Sequence, residues 1–244
     1  MIERRPFDAL GGADHGWLNT HHHFSFANYF DPNRVHWGVL RVWNDDTIQP
    51  GTGFPLHPHA DMEIITYVRE GAITHRDNLG NEGRTEAGDV QVMSAGTGIV
   101  HSEYNREAGI TKIFQIWVMP NQRGQQPSWG ARPFPKHDRA GRFVVLASGL
   151  AGDDETLRLR ADARVLGATL DPAQRLAYRF ADGERYGYLV PATGRLTVNG
   201  VTLDAGDGAA IHGEDSIHIE AVEPSDFILV DAAADQSVTR WNAL

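Results

Sequence analysis

Short runs rich in β-branched and aromatic residues recur along this chain, each closed by a cluster of Gly, Pro, Asn or Asp, and long helical periodicity is scarce. Such punctuation at close intervals selects strands over helices, and a barrel or sandwich over an α/β fold. Candidate strands are residues 35–42, 63–68, 89–94, 111–118, 143–147, 164–170, 186–190, 208–211 and 226–230. The 26 glycines and 12 prolines supply the breaks between them. A weak internal repeat divides the pattern. Gly71-Ala72-Ile73-Thr74 precedes Ala87-Gly88-Asp89-Val90, and Gly194-Arg195-Leu196-Thr197 precedes Ala205-Gly206-Asp207-Gly208. Each copy reads as a strand, a connection and a glycine turn into a further strand, so two similar β-units are expected in tandem. The Pro-, Gly- and Gln-rich stretch 120–141 joins them, and the boundary is set near residue 135, giving halves 1–135 and 136–244.

Composition narrows the functions. A formal net charge of −10 repels a phosphate backbone, so no direct nucleic-acid partner is expected. No segment approaches the ~20 apolar residues of a membrane span, and Met1–Phe7 lacks the apolar run of a signal peptide. Cysteine is absent, which removes disulfides, thiolate metal sites and cysteine nucleophiles together. That agrees with a reducing, cytoplasmic location.

Chemistry concentrates in two triplets, His57-Pro58-His59 and His101-Ser102-Glu103. Residues two apart on a strand point to the same face. Each triplet can therefore aim two donors at one point. Three imidazoles and a carboxylate suit iron, manganese, nickel, copper or zinc. Four protein ligands on an octahedral ion would leave two positions for a substrate oxygen and dioxygen. On the residues alone, the same side chains could instead be polar groups satisfied by hydrogen bonds inside a barrel.

Gly51, His57-x-His59, Glu63 and Gly71 resemble the first motif of the cupins, and Gly88, His101 and Asn105 the second. Gly71 falls one residue late, and Ser94 stands where a proline is usual. These departures match the pirin branch. The resemblance to pirins is close over most of the N-terminal half, carried by His22–Pro32, Leu40–Asp46, Gly53–His59, Met62–Val68, His75-Arg76-Asp77 and Met93–Glu103. The C-terminal half is similar to pirins only loosely.

The resemblance implies an all-β bicupin of two tandem jelly-roll barrels, with one divalent transition metal in the N-terminal barrel. Its ligands would be His57, His59, His101 and Glu103. Iron(II) is the first expectation, ahead of nickel, manganese, cobalt, copper or zinc. Glu63 is left as a neighbour of the ligands. Similarity to quercetin 2,3-dioxygenases implies a flavonol and O2 as substrates, ring cleavage with CO release, and Glu103 as the catalytic base. The alternative is a redox-dependent interaction module with a regulatory protein partner. A monomer is expected.

The second half reads as a degenerate cupin without a metal site. Aligning Gly194 with Gly71 sets Phe180 and Asp182 opposite His57 and His59. Aligning Gly206 with Gly88 sets Ile219 and Ala221 opposite His101 and Glu103. Elsewhere the plainer readings hold. Gly96-Thr97-Gly98 is a tight turn, since it lacks the lysine of a phosphate loop. His21-His22-His23 is structural or rims a pocket, and His75 and Asp77 shape the turn at 78–81. Asp153-Asp154-Glu155 is a solvated loop. Phe24, Phe26, Trp37 and Trp43 either line an aromatic pocket or pack the barrel. The tail from Gln236 to Leu244, with Trp241, is expected to fold back on the N-terminal barrel.

Overall fold

The computed structural model describes residues 1–235, so the expectation for the tail from Gln236 lies outside the described residues. Among these, only Phe7–Ala9 and Lys136–Arg139 are helical, each a single 3-10 turn. Among the described residues, no helix is long and apolar enough to cross a membrane. The strands form two units of the same plan, each a seven-stranded sheet facing a four-stranded one. This is the expected tandem cupin jelly roll, built from open facing sheets. The strand runs expected at 63–68, 111–118 and 164–170 appear as Glu63–Glu70, Thr111–Val118 and Ala163–Leu170. The run at 35–42 is the exception. It enters the sheet only at Leu40 and continues to Ile48, because Trp37 and Leu40 first close a small bridge.

Strand order repeats element for element. In the first unit Val90–Ser94, Glu63–Glu70, Thr111–Val118 and Leu40–Ile48 lie side by side; in the second, Gly208–His212, Tyr186–Thr193, Ser225–Ala232 and Ala163–Leu170 do the same. Gly71 and Gly194 open matching turns with φ of 73° and 79°. A Cβ at Gly71 would sit 2.7 Å from Thr111 Oγ1, and one at Gly194 2.2 Å from the Pro224 carbonyl oxygen. Both turns thus need glycine for the left-handed backbone and for close approach. The strand Ile2–Arg5 lies in the other half's sheet, where it pairs with Gly208–Ile211.

The two seven-stranded sheets share one core. Its buried residues come from both halves and include Phe24, Trp43, Ile65 and Phe114 on one side, with Leu146, Val165, Tyr188 and Val230 on the other. A buried polar clamp crosses the same boundary. The Tyr67 hydroxyl donates to Asp226 at 2.6 Å, and Arg139 donates to the Tyr67 oxygen at 2.5 Å. The buried carboxylate of Asp226 therefore has its donors in place, which lowers the cost of keeping it out of water.

Candidate metal centre and cavity

Gly53–His59 is the edge strand of the first four-stranded sheet, followed by Ile99–Tyr104 and then Ala72–Asp77. An edge tolerates Pro55 and Pro58, which have no N–H to donate to a ladder. His101 pairs with His57 and Glu103 with Phe54, so Phe54–His57 carries one extra residue. That bulge re-aims the edge strand next to the histidines, a placement bulges commonly serve.

The strands bring His57, His59 and His101 into one cluster, with donor nitrogens all within 4.8 Å of one another. His101 Nε2 lies 3.0 Å from His57 Nε2. His57 Nδ1 is 2.7 Å from the Pro55 carbonyl, which can only accept, so His57 carries its proton on Nδ1 and presents Nε2 as a bare donor. This spacing fits a resident cation. Two donors ~2.1 Å from one ion at about a right angle stand ~3.0 Å apart. His101 is 2 % exposed, and burial followed by the neighbouring imidazoles of His57, His59 and His75 depresses its pKa to about 2. His59 is depressed to about 4 by burial and then by His57. Both rings are therefore neutral at physiological pH and free to ligate.

Glu103 belongs to a second cluster, with His101 and His75. Its Oε1 accepts from Gln91 Nε2 at 2.6 Å and from Thr66 Oγ1 at 3.3 Å, and its Oε2 accepts from Gln115 Nε2 at 3.0 Å. Full burial pushes its carboxyl up to about 7 against these donors. His101 is common to both clusters. Sequence reasoning missed Thr66, Gln91 and Gln115. Their signal was a polar residue alternating with apolar ones on an inner strand, as in Ile113-Phe114-Gln115-Ile116.

Glu63 does not neighbour the histidines. Its carboxylate accepts from Ser94 Oγ at 2.7 Å and from the Arg160 backbone N–H at 3.0 Å, on the side facing the second half. Thr66, three residues later on the strand, faces Glu103, and an odd spacing turns Glu63 to the opposite face.

A cavity of about 670 Å³ opens onto His57 and His59. Trp17, Phe26, Tyr29, Phe54 and Trp117 wall it. Trp117 meets His59 edge-on at 5.0 Å and Phe26 at 5.4 Å. Its polar side carries His22, Asn44, Asp46 and Gln115. The buried Asp46 carboxyl is pushed up to about 7, chiefly by burial and further by Asp45. Of the aromatic residues singled out in the sequence, Phe26 alone reaches this cavity. Phe24 and Trp43 belong to the shared core, and Trp37 packs beside that core and donates its indole N–H to the Gly187 carbonyl at 3.0 Å. Asn44 and Asp46, one and three residues after Trp43, point the other way, as strand alternation requires. Of the three consecutive histidines, His22 rims the cavity, while His23 is buried against the Tyr188 hydroxyl at 2.9 Å.

The family model described as pirin matches residues 3–118, and the one described as quercetinase C-terminal cupin domain matches residues 145–232. A pirin-like protein of Caulobacter vibrioides is 64% identical over 233 residues, which is 96% of this chain and 100% of the relative. The chain belongs to the pirin family. Another relative, named quercetin 2,3-dioxygenase, from Escherichia coli, is 41% identical over 95% of this chain and 98% of its own length. Among solved structures, the E. coli pirin YhhW in complex with nickel(II) superposes with a TM-score of 0.89 at 40% identity, covering 96% of this chain and 100% of that one.

Register within this pirin gives the second-half counterpart of every site position. Val198 pairs with Ile219 as His75 pairs with Glu103, and Tyr178 pairs with Ile217 as His57 pairs with His101. Opposite His57, His59, His101 and Glu103 therefore stand Tyr178, Phe180, Ile217 and Ile219. This corrects the sequence alignment, which placed Phe180, Asp182, Ile219 and Ala221 there. From the equivalent of His59 to that of Glu63 the second half has two residues more, and from the equivalent of Ser94 to that of Ile99 two fewer. A shift of two keeps the same strand face, so Phe180, Ile219 and Ala221 of that alignment still select inward positions, whereas Asp182 falls beyond the strand and is exposed. The residues that actually occupy them are all apolar or aromatic and buried.

Proposed function

We propose that this pirin is a metal-dependent flavonol 2,3-dioxygenase, with His57, His59, His101 and Glu103 as the ligand set. The observation that carries the reading is the aromatic-walled cavity of about 670 Å³ opening directly onto His57 and His59. Its size falls within the range of small-molecule sites, and its make-up of apolar walls with a few polar groups is the usual one. The E. coli relative named quercetin 2,3-dioxygenase and the nickel(II) complex of YhhW support the same reading.

A divalent transition ion held there would acidify a coordinated hydroxyl and bring redox chemistry with dioxygen within reach. Iron(II) is the first candidate. The protein's own residues do the rest. Trp117, Phe26 and Phe54 stack on the flat substrate and keep water out. Asn44 and His22 meet hydroxyl groups along the polar wall. Glu103 receives the proton of the flavonol 3-hydroxyl at Oε2, the oxygen beside the cavity-lining Gln115. Burial, which raises the Glu103 carboxyl in the metal-free chain, favours its taking up that proton. In the overall reaction both atoms of dioxygen enter the product, the C2–C3 and C3–C4 bonds break, and C3 leaves as CO.

The test is oxygen uptake and CO release with quercetin, using protein loaded separately with iron(II), nickel(II) and zinc(II). Uptake matched by CO, dependent on a redox-capable metal and lost in His101→Ala, is expected. A fully loaded protein that consumes no oxygen with any of the three overturns the reading.

A further inference from the structure

We propose that Asp77 and His75 form a positioning relay behind His101, holding its ring in the tautomer that leaves Nε2 bare for an ion. The proposal rests on the reading of His57, His59 and His101 as ligands.

The argument is one of proton placement along a buried chain. Both side chains, His75 and Asp77, are 0% exposed. Asp77 Oδ1 accepts from the backbone N–H groups of Leu79 at 2.9 Å and Asn81 at 3.0 Å. Its Oδ2 accepts from Asn81 Nδ2 at 2.8 Å and faces His75 Nε2 at 3.0 Å. A carboxylate surrounded by donors acts as an acceptor, so the proton in this last contact sits on His75 Nε2. The neutral ring then offers a lone pair at Nδ1. His101 Nδ1 lies 3.3 Å from that atom, and two ring nitrogens can bond only if one of them carries a proton. It is therefore His101 that donates from Nδ1, and its Nε2 turns bare toward His57. The ring plane of His75 is set in turn by Trp129, stacked on it at 4.8 Å and 10°. Gly83 makes room for that indole, since a Cβ there would lie 2.2 Å from the Trp129 ring.

A purely architectural role does not account for these residues. The turn at 78–81 is held by Asp77 Oδ1 and Asn81 without any need for His75. The second half joins the corresponding strands by a shorter turn, Asn199-Gly200, and carries neither residue. Counting from Gly194 as from Gly71, Val198 stands for His75 and Gly200 for Asp77. Where the ligand positions are Tyr178, Phe180 and Ile217, the relay is missing as well. The relay accompanies the ligands. Ligating histidines commonly have their second nitrogen held by such a partner, and losing it costs ~10–100-fold in metal affinity.

The experiment measures nickel(II) affinity by calorimetry and the cobalt(II) absorption spectrum for the parent chain, His75→Phe, His75→Gln, Asp77→Asn and His101→Ala, with thermal unfolding of each metal-free protein. His75→Phe keeps the stack on Trp129 and removes the acceptor. It is expected to lose ~10–100-fold in affinity and to shift the cobalt bands, while His75→Gln, whose amide oxygen can accept from His101 Nδ1, recovers most of both. Parent-like affinity and spectrum in His75→Phe overturn the relay. A loss as complete as that of His101→Ala also overturns it, because His75 would then be a ligand itself. Equal losses in His75→Phe and His75→Gln overturn it too, as a packing effect. If His75→Phe does not fold, Asp77→Asn decides, with weakened binding and a shifted spectrum expected and parent-like values contradicting. His101→Ala separates the two levels: undiminished nickel binding there sinks the ligand reading, whereas loss there with none in His75→Phe sinks the relay alone.

Discussion

The two halves of this pirin share a strand plan and differ in what fills it. Between the sheets of the second half lies one continuous apolar cluster, running from Leu166 and Ala168 through Phe180, Ile217 and Ile219 to Leu229. Between the sheets of the first half, apart from the core shared by both halves, the apolar residues separate into two small groups, one around Ile48, Ile73 and Ile113, the other around Ile64, Met93 and Ile99. Polar side chains and the cavity occupy the space between. Register pairs the two fillings residue by residue. Thr66, Gln91, Glu103 and Gln115 of the first half correspond to Leu189, Ala209, Ile219 and Leu229 of the second. Asn44 and Asp46 correspond to Leu166 and Ala168. The fold therefore accepts an ordinary hydrophobic interior at every one of these positions. The first half keeps buried polar groups where burial is costly, which marks them as serving chemistry rather than stability.

The largest effect expected from this contrast is on metal. His101→Ala removes the residue shared by both donor clusters, so binding should fall by more than the ~10–100-fold typical of losing an outer partner. Calorimetric titration with nickel(II) checks this, and a small loss would break the contrast. Next is the mirror experiment. Phe180→Ala, at the counterpart of His59, should cost ~3–5 kcal/mol of stability in denaturant unfolding and leave metal affinity unchanged. A cost near zero would mean that the second interior is not the packed core described.

Acid–base linkage sharpens the comparison further. Glu103 has its carboxyl at about 7 in the folded chain against 4.5 in the open. Its contribution to stability is thus full below 4.5 and is lost as pH rises through about 7. His59 and His101 work oppositely, their contributions being present above 6.5 and lost as pH falls through about 4 and about 2. Metal-free Glu103→Gln deletes only the first. Relative to the parent its unfolding free energy should therefore rise between about pH 5 and about pH 8, by on the order of 3 kcal/mol. A difference that stays flat across that range would show that Glu103 titrates normally. The smallest effect concerns the cavity wall. Trp117→Ala should raise KM for a flavonol by a factor that corresponds to about 1 kcal/mol of lost stacking, with little change in kcat. Steady-state oxygen uptake measures both.

Much of this contrast was legible before any fold was known. His57 with His59 and His101 with Glu103 are legible because a spacing of two on a strand means one face, whatever the sheet. The paired turn glycines Gly71 and Gly194 are legible because left-handed backbone leaves few alternatives. Glu63 misled because the motif gives its position along the chain but not the parity that turns it away. The counterparts of the ligands came out two residues late because turn lengths differ between the halves, and spacing alone cannot say where a strand resumes. The cavity wall was the least legible. Trp17, Phe54 and Trp117 come from segments far apart in sequence, and of Phe24 and Phe26, two apart in one short segment between strands, the second reaches the cavity and the first the shared core.

One measurement reaches the centre of this account. Crystals of the nickel(II)-loaded protein, measured at the nickel absorption edge, give the number and position of bound ions directly. A single anomalous peak per chain bounded by His57, His59 and His101 is expected, with none between the sheets of the second half. A peak among Tyr178, Phe180 and Ile217, or none at the three histidines in protein that calorimetry shows to be loaded, would contradict the division of labour between the two halves.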